Sequence, residues 1–193
     1  MAPKEPTPTN EAKTARPLLA RITGTLQLQA EVYDEIAADT DATNQAAVVV
    51  ALAAVTGSLG GPEPGTLADL PFELALAYFS WLVPGTLLWI VATRALDFQA
   101  DLARVLRCLG FATTPHLLWL GGLLAGGSEP FFFALFTVIV ILLLVANVLA
   151  VRQAFAVNTL RAVQAMLLGF LAYTGVAVVA GFVLAQFGIS LEG

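Results

Sequence analysis

Residues 93–118, TRALDFQADLARVLRCLGFATTPHLL, decide how many times this chain runs from one end of its body to the other. The stretch holds three of the nine basic residues, Arg94, Arg104 and Arg107, with the only cysteine, Cys108, and the only histidine, His116. Phe98, Leu102, Val105 and Leu109 share one helical face, with Leu106 beside them, while Asp97, Asp101 and Arg104 share another. This pattern predicts a surface-lying amphipathic helix. Asp97 is its expected N-cap, because a carboxylate there accepts from free backbone N–H groups. Acidic residues early and Arg104 and Arg107 late suit the helix macrodipole. The Asp101–Arg104 pair at i,i+3 adds a few tenths of a kcal/mol at most. The chain is expected to bend over residues 110–115 into an apolar segment.

Outward from this pivot the chain is mostly apolar. Only 12% of its residues are charged, about half the share of a soluble domain, and the mean hydropathy is +0.82. The expected class is an all-α polytopic membrane protein. A crossing helix needs about 20 residues, or about 17 at the short end. Five segments qualify in some measure: residues 43–59, 72–93, 109–125, 131–151 and 163–187. The second carries Tyr78, Trp81 and Trp89 as expected interface anchors and an internal Pro84-Gly85 that predicts a kink. The third is the weakest, short and with Pro115 inside it. The fourth, centred on FTVIVILLLV, is the strongest. In the fifth, Ala177, Gly181 and Ala185 recur every four residues and form a small-residue stripe for close helix packing, expected to be internal.

Basic residues fix the expected orientation. Lys4, Lys13, Arg16 and Arg21 precede the first segment; Arg94, Arg104 and Arg107 lie between the second and third; Arg152 and Arg161 lie between the fourth and fifth. The loops at 60–71 and 125–130 and the tail after Phe187 hold none. If every segment crosses, all nine fall on one side, which the positive-inside rule makes the cytoplasm, with the N-terminus in and the C-terminus out. A re-entrant third segment would leave Arg152 and Arg161 outside.

The N-terminal part carries no crossing. Residues 1–17 include Pro3, Pro6, Pro8 and Pro17 with no apolar run behind Lys4, so a disordered cytoplasmic tail is expected and a cleavable leader is not. Residues 18–40 predict one amphipathic helix with Leu19, Ile22, Leu26, Tyr33 and Ile36 on its apolar face and Arg21, Gln27, Glu31, Asp34 and Glu35 opposite. It is expected at the membrane interface or docked on the bundle. Its acidic polar face argues against anionic lipid.

Chemistry is sparse. No Ser/His/acid set or phosphate-binding glycine loop is evident. One cysteine excludes an internal disulfide and a cysteine-based metal site. His116 alone is a candidate axial ligand for a haem or chlorin, set against a capping or interface role; no cofactor is expected. The net charge of −5 does not bear on nucleic acid, but no basic patch of the density it needs is present, so nucleic acid is not an expected partner. Ionisable residues are missing from the middle of every segment, which counts against a pump. Asn147, Thr137 and Thr174 are expected to hydrogen-bond between helices.

Three segments carry a resemblance: VYDEIAADTDATNQAAVVVALAA at 32–54, TRALDFQADLARVLRCLGFATTP at 93–115, and VRQAFAVNTLRAVQAMLLGF at 151–170. With the spacing and topology of residues 18–187, they resemble the bacterial Yip1-domain proteins, small five-helix integral membrane proteins. Val157-Asn158 stand where an acidic residue is expected. The resemblance implies residence in a bacterial cytoplasmic membrane and a non-enzymatic role in organising membrane partners. The alternatives are an accessory subunit of a respiratory or photosynthetic complex and, third, a transporter of a neutral solute. Expected partners are the lipid bilayer and other membrane proteins.

Overall fold

Apolar runs with few breakers wind into helices throughout the computed structural model, which describes residues 16–124 and 128–186, the side chains of Leu184 and Ala185 excepted. Most of the expected tail, with Lys4 and Lys13, lies outside the described residues. Seven α-helices follow in order: α1 Leu18–Leu26, α2 Ala30–Ala38, α3 Ala42–Gly60, α4 Leu70–Ala95, α5 Leu102–Phe111, α6 Glu129–Phe155 and α7 Thr159–Gln186. A 3-10 helix, Thr114–Leu124, joins α5 to α6. There is no strand among the described residues. Four helices are long and apolar enough to cross a membrane: α3, α4, α6 and α7.

The helix expected over residues 18–40 is two helices. Leu28 sits at φ 57; its N–H bonds the Thr25 carbonyl and the Gln29 N–H bonds the Gly24 carbonyl, each at 3.0 Å. That is the two-bond termination that usually employs glycine in the left-handed position. With leucine there, the sequence carries no break signal. The break turns α2 onto the bundle, where Val32, Tyr33, Ile36 and Ala37 are buried against α5 and α6. Burying Val32 and Ile36 contributes about 1.5–3 kcal/mol each relative to water.

The pivot is also rearranged. Asp97 does not cap the helix: it stands in the connection at φ 55, and Asp101 is the N-cap, accepting from the Arg104 N–H at 2.7 Å. Nor does α5 lie on the surface. Val105, Arg107, Cys108, Gly110 and Phe111 are buried, because α5 is wedged among α2, α3, α4 and α6.

The expected third crossing, 109–125, is not one α-helix. It is the last turn of α5 followed by the 3-10 segment, with its final residue outside the described ones. This segment runs parallel to α3. Gly110 lies against Ala46, with a β-carbon there 2.8 Å from the Ala46 β-carbon. The Thr56 hydroxyl donates to the His116 carbonyl at 3.1 Å. Gly60 then meets Trp119 and Gly122, where a β-carbon on either glycine would overlap a carbonyl of the opposite segment. Residues 46–60 rise about 21 Å as α-helix. Residues 110–122 rise roughly 22 Å, because a 3-10 helix advances about 2 Å per residue. The extended winding lets a short segment keep pace with a full helix.

The aromatics expected to anchor α4 at the membrane interface turn inward. Tyr78 Oη donates to the Ala47 carbonyl at 3.1 Å, Trp81 Nε1 to Leu106 at 2.9 Å and Trp89 Nε1 to Ala100 at 2.9 Å. They staple α4 to α3, to α5 and to the connection before α5. Asn147 and Thr137 do not bridge helices: Asn147 Nδ2 donates to Leu143 at 2.8 Å and Thr137 Oγ1 to Phe133 at 2.8 Å, both within α6. A bond to the i−4 carbonyl satisfies such groups locally.

Candidate functional site

The arginines gather at one end of the bundle, with the starts of α3, α5 and α7 and the ends of α4 and α6. Arg94 in the last turn of α4 is exposed. Arg104 is half-buried and its Nη2 donates to the Gln153 carbonyl at 3.0 Å. Arg107 is buried; its Nη2 donates to the Ala37 carbonyl at 3.0 Å and its Nη1 reaches Thr43 Oγ1 at 3.4 Å. Arg152 is half-buried. Arg161 lies 5.0 Å over the Phe98 ring, which in turn stands 5.4 Å from Phe155. Asn158 caps α7 by accepting from the Arg161 N–H at 3.0 Å.

Arg21 is the residue that sequence reasoning misplaced. Assigned to the polar face, it is fully buried. Its guanidinium pairs with Glu35 at 3.0 Å and with Asp39, and donates to Gln45 Oε1 at 2.9 Å. Glu35 also takes Arg16 at 3.2 Å. One forked cation thus ties α1, α2 and the start of α3 together, as a planar five-donor group can. The Arg21 hydrogen bond, helped by the Asp41 N–H, holds the Asp39 carboxyl below the usual carboxylate range.

At the opposite end a cavity of about 440 Å³ opens between α3, α4 and the 3-10 segment. Its walls include Ser58, Glu73, Trp81, Thr113, His116 and Trp119. A serine, a histidine and an acid, distant in sequence and not expected as a set, therefore share one cavity. Ser58 is buried, and among the described residues its hydroxyl has no hydrogen-bond partner. Glu73, in the first turn of α4, suits the positive end of that helix. A second cavity, about 300 Å³ and mostly apolar, lies among α4, α5, α6 and α7 beside Pro84 and Asn147.

The small-residue stripe on α7 is not internal. Ala177 is exposed, and nothing described lies within 4 Å of a β-carbon built on Gly181. The side chain of Ala185 falls outside the described residues. Contacts of α7 with α4 come earlier, where a β-carbon on Gly169 would lie 2.9 Å from Leu88 Cδ1.

Among the described residues these elements define an all-helical protein with four apolar helices of membrane-crossing length, one end that holds every arginine together with as many carboxylates, and one cavity-bearing end whose charged residues are all acidic. Comparison with protein-family models, with curated proteins and with solved structures returned no match.

Proposed function

We propose that the chain is a non-enzymatic, Yip1-like protein of a bacterial cytoplasmic membrane, crossing five times with its N-terminus in and its C-terminus out, and organising other membrane proteins around it. The fifth crossing rests on α5 and the 3-10 segment, whose parallel course beside α3 matches it in length. With that crossing, every arginine falls on the cytoplasmic side, as the positive-inside rule requires.

The organising role rests on one observation, the outward face of α7. Beyond Phe170 its described residues are exposed or half-exposed, Val178 at 66% among them, and Gly175 and Gly181 have open space before them. Small residues on an apolar helix face let another helix approach closely in lipid. The occupant in this reading is a helix of another membrane protein.

Digitonin extraction followed by native electrophoresis tests this directly. The wild-type chain is expected to migrate with partner membrane proteins, and Gly181→Leu, which has room within the chain, to release it as a monomer. Migration of both as the same monomer contradicts the reading. Stable comigration with one abundant complex identifies an accessory subunit rather than a free-standing organiser.

A further inference from the structure

We infer that the cavity between α3, α4 and the 3-10 segment binds an organic ammonium ion, the chemistry shared by a free amine such as choline and by a zwitterionic lipid headgroup. Its volume of about 440 Å³ falls in the range of small-ligand sites. Glu73 is half-buried and Leu76 exposed on its wall, so the cavity reaches the protein surface.

Charge selects the ligand. Among the described residues, ion pairs form only between Arg16 or Arg21 and Glu35 or Asp39, at the far end of the bundle. Glu73 therefore pairs with no cation among the described residues. Glu63, Asp69 and Glu129 flank the same end, and the sequence supplies no lysine or arginine to its loops. A cleft lined by one sign of charge concentrates the opposite sign.

Two indoles add the recognition surface. Tryptophan is the best side-chain face for a cation, and quaternary ammonium groups are bound in this way. Trp81 is held in position by its bond to the Leu106 carbonyl, and Trp119, itself buried, lines the same cavity nearer the Gly57 and Gly60 end of α3.

The test uses the full-length protein in dodecyl maltoside, titrated with choline chloride and with its neutral isostere, in which carbon replaces the quaternary nitrogen, against sodium chloride as the salt control. Tryptophan emission is expected to change saturably with choline, and the isostere to bind about tenfold or more weakly. Glu73→Gln should remove that preference. Repeating the choline titration in nanodiscs separates the sources. Response in phosphatidylglycerol discs but not in phosphatidylcholine discs identifies the headgroup as a competing occupant; equal response in both identifies the free amine. No saturable response in detergent, equal binding of choline and isostere, or a preference that survives in folded Glu73→Gln overturns the inference. Should that variant not fold, the preference of the wild-type protein decides alone.

Discussion

Gly60 and Gly122 meet backbone to backbone: a β-carbon on Gly122 would overlap the Gly60 carbonyl, and one on Gly60 would overlap the Trp119 carbonyl. This contact joins the end of α3 to the 3-10 segment. Gly60→Ala and Gly122→Ala are each expected to destabilise the protein by about 1–3 kcal/mol, the usual cost of overpacking. Gly181→Ala, with open space before it, should be neutral or stabilising by up to about 1 kcal/mol through helix propensity. Thermal unfolding in detergent compares the three. Equal melting of Gly60→Ala and wild type contradicts the close approach.

Removing Arg21 leaves Glu35, Asp39 and Gln45 without their shared donor. Breaking a buried pair by deleting one partner costs about 3–5 kcal/mol; Glu35 and Asp39 keep some water access, so Arg21→Met is expected nearer 2–3 kcal/mol. The loss should appear as protease sensitivity of α1 and α2 before the rest of the bundle opens.

The same cluster sets an acid limit. Asp39 is held below the ordinary carboxylate range by Arg21. Its contribution is therefore fully present above the unfolded value, about 3.9, and is lost as pH falls through the depressed folded value. Melting temperature should decline below about pH 4, less steeply in Asp39→Asn than in the wild type. Identical acid profiles would remove Asp39 from the account.

Ala156 ends α6 in the left-handed conformation, φ 52, with the Val157 N–H on the Arg152 carbonyl at 3.0 Å. It is exposed, so a side chain there loses little packing. Ala156→Gly is expected to stabilise by up to about 1 kcal/mol, since glycine adopts that region without the Cβ clash. A lower melting temperature would contradict the assignment.

What the sequence made legible was what periodicity and charge carry locally. The apolar runs led to α3, α4, α6 and α7, and the grouped arginines to one end of the bundle. Features set by tertiary contact were not legible. Leu28 and Ala156 hold left-handed positions without a glycine to announce them. Arg21 and Arg107 read as exposed charges until α2 folds over and supplies carboxylates and a carbonyl. Asp101 replaces Asp97 as the cap because the left-handed turn at Asp97 delays the helix by one turn. The cavity lies furthest from sequence reasoning, since Ser58, Glu73 and His116 belong to three elements that converge only when the 3-10 segment lies along α3.

The central claim, that α5 and the 3-10 segment cross the membrane, is tested most directly by cysteine labelling from each side in a Cys108→Ser background. Cysteines replace Glu63, Asp97 and Ser128, one at a time. Five crossings predict that Ser128→Cys labels with Glu63→Cys from outside the cell, and Asp97→Cys only from the cytoplasm. Labelling of Ser128→Cys from the cytoplasm, together with Asp97→Cys, would mean a re-entrant segment and contradict the account.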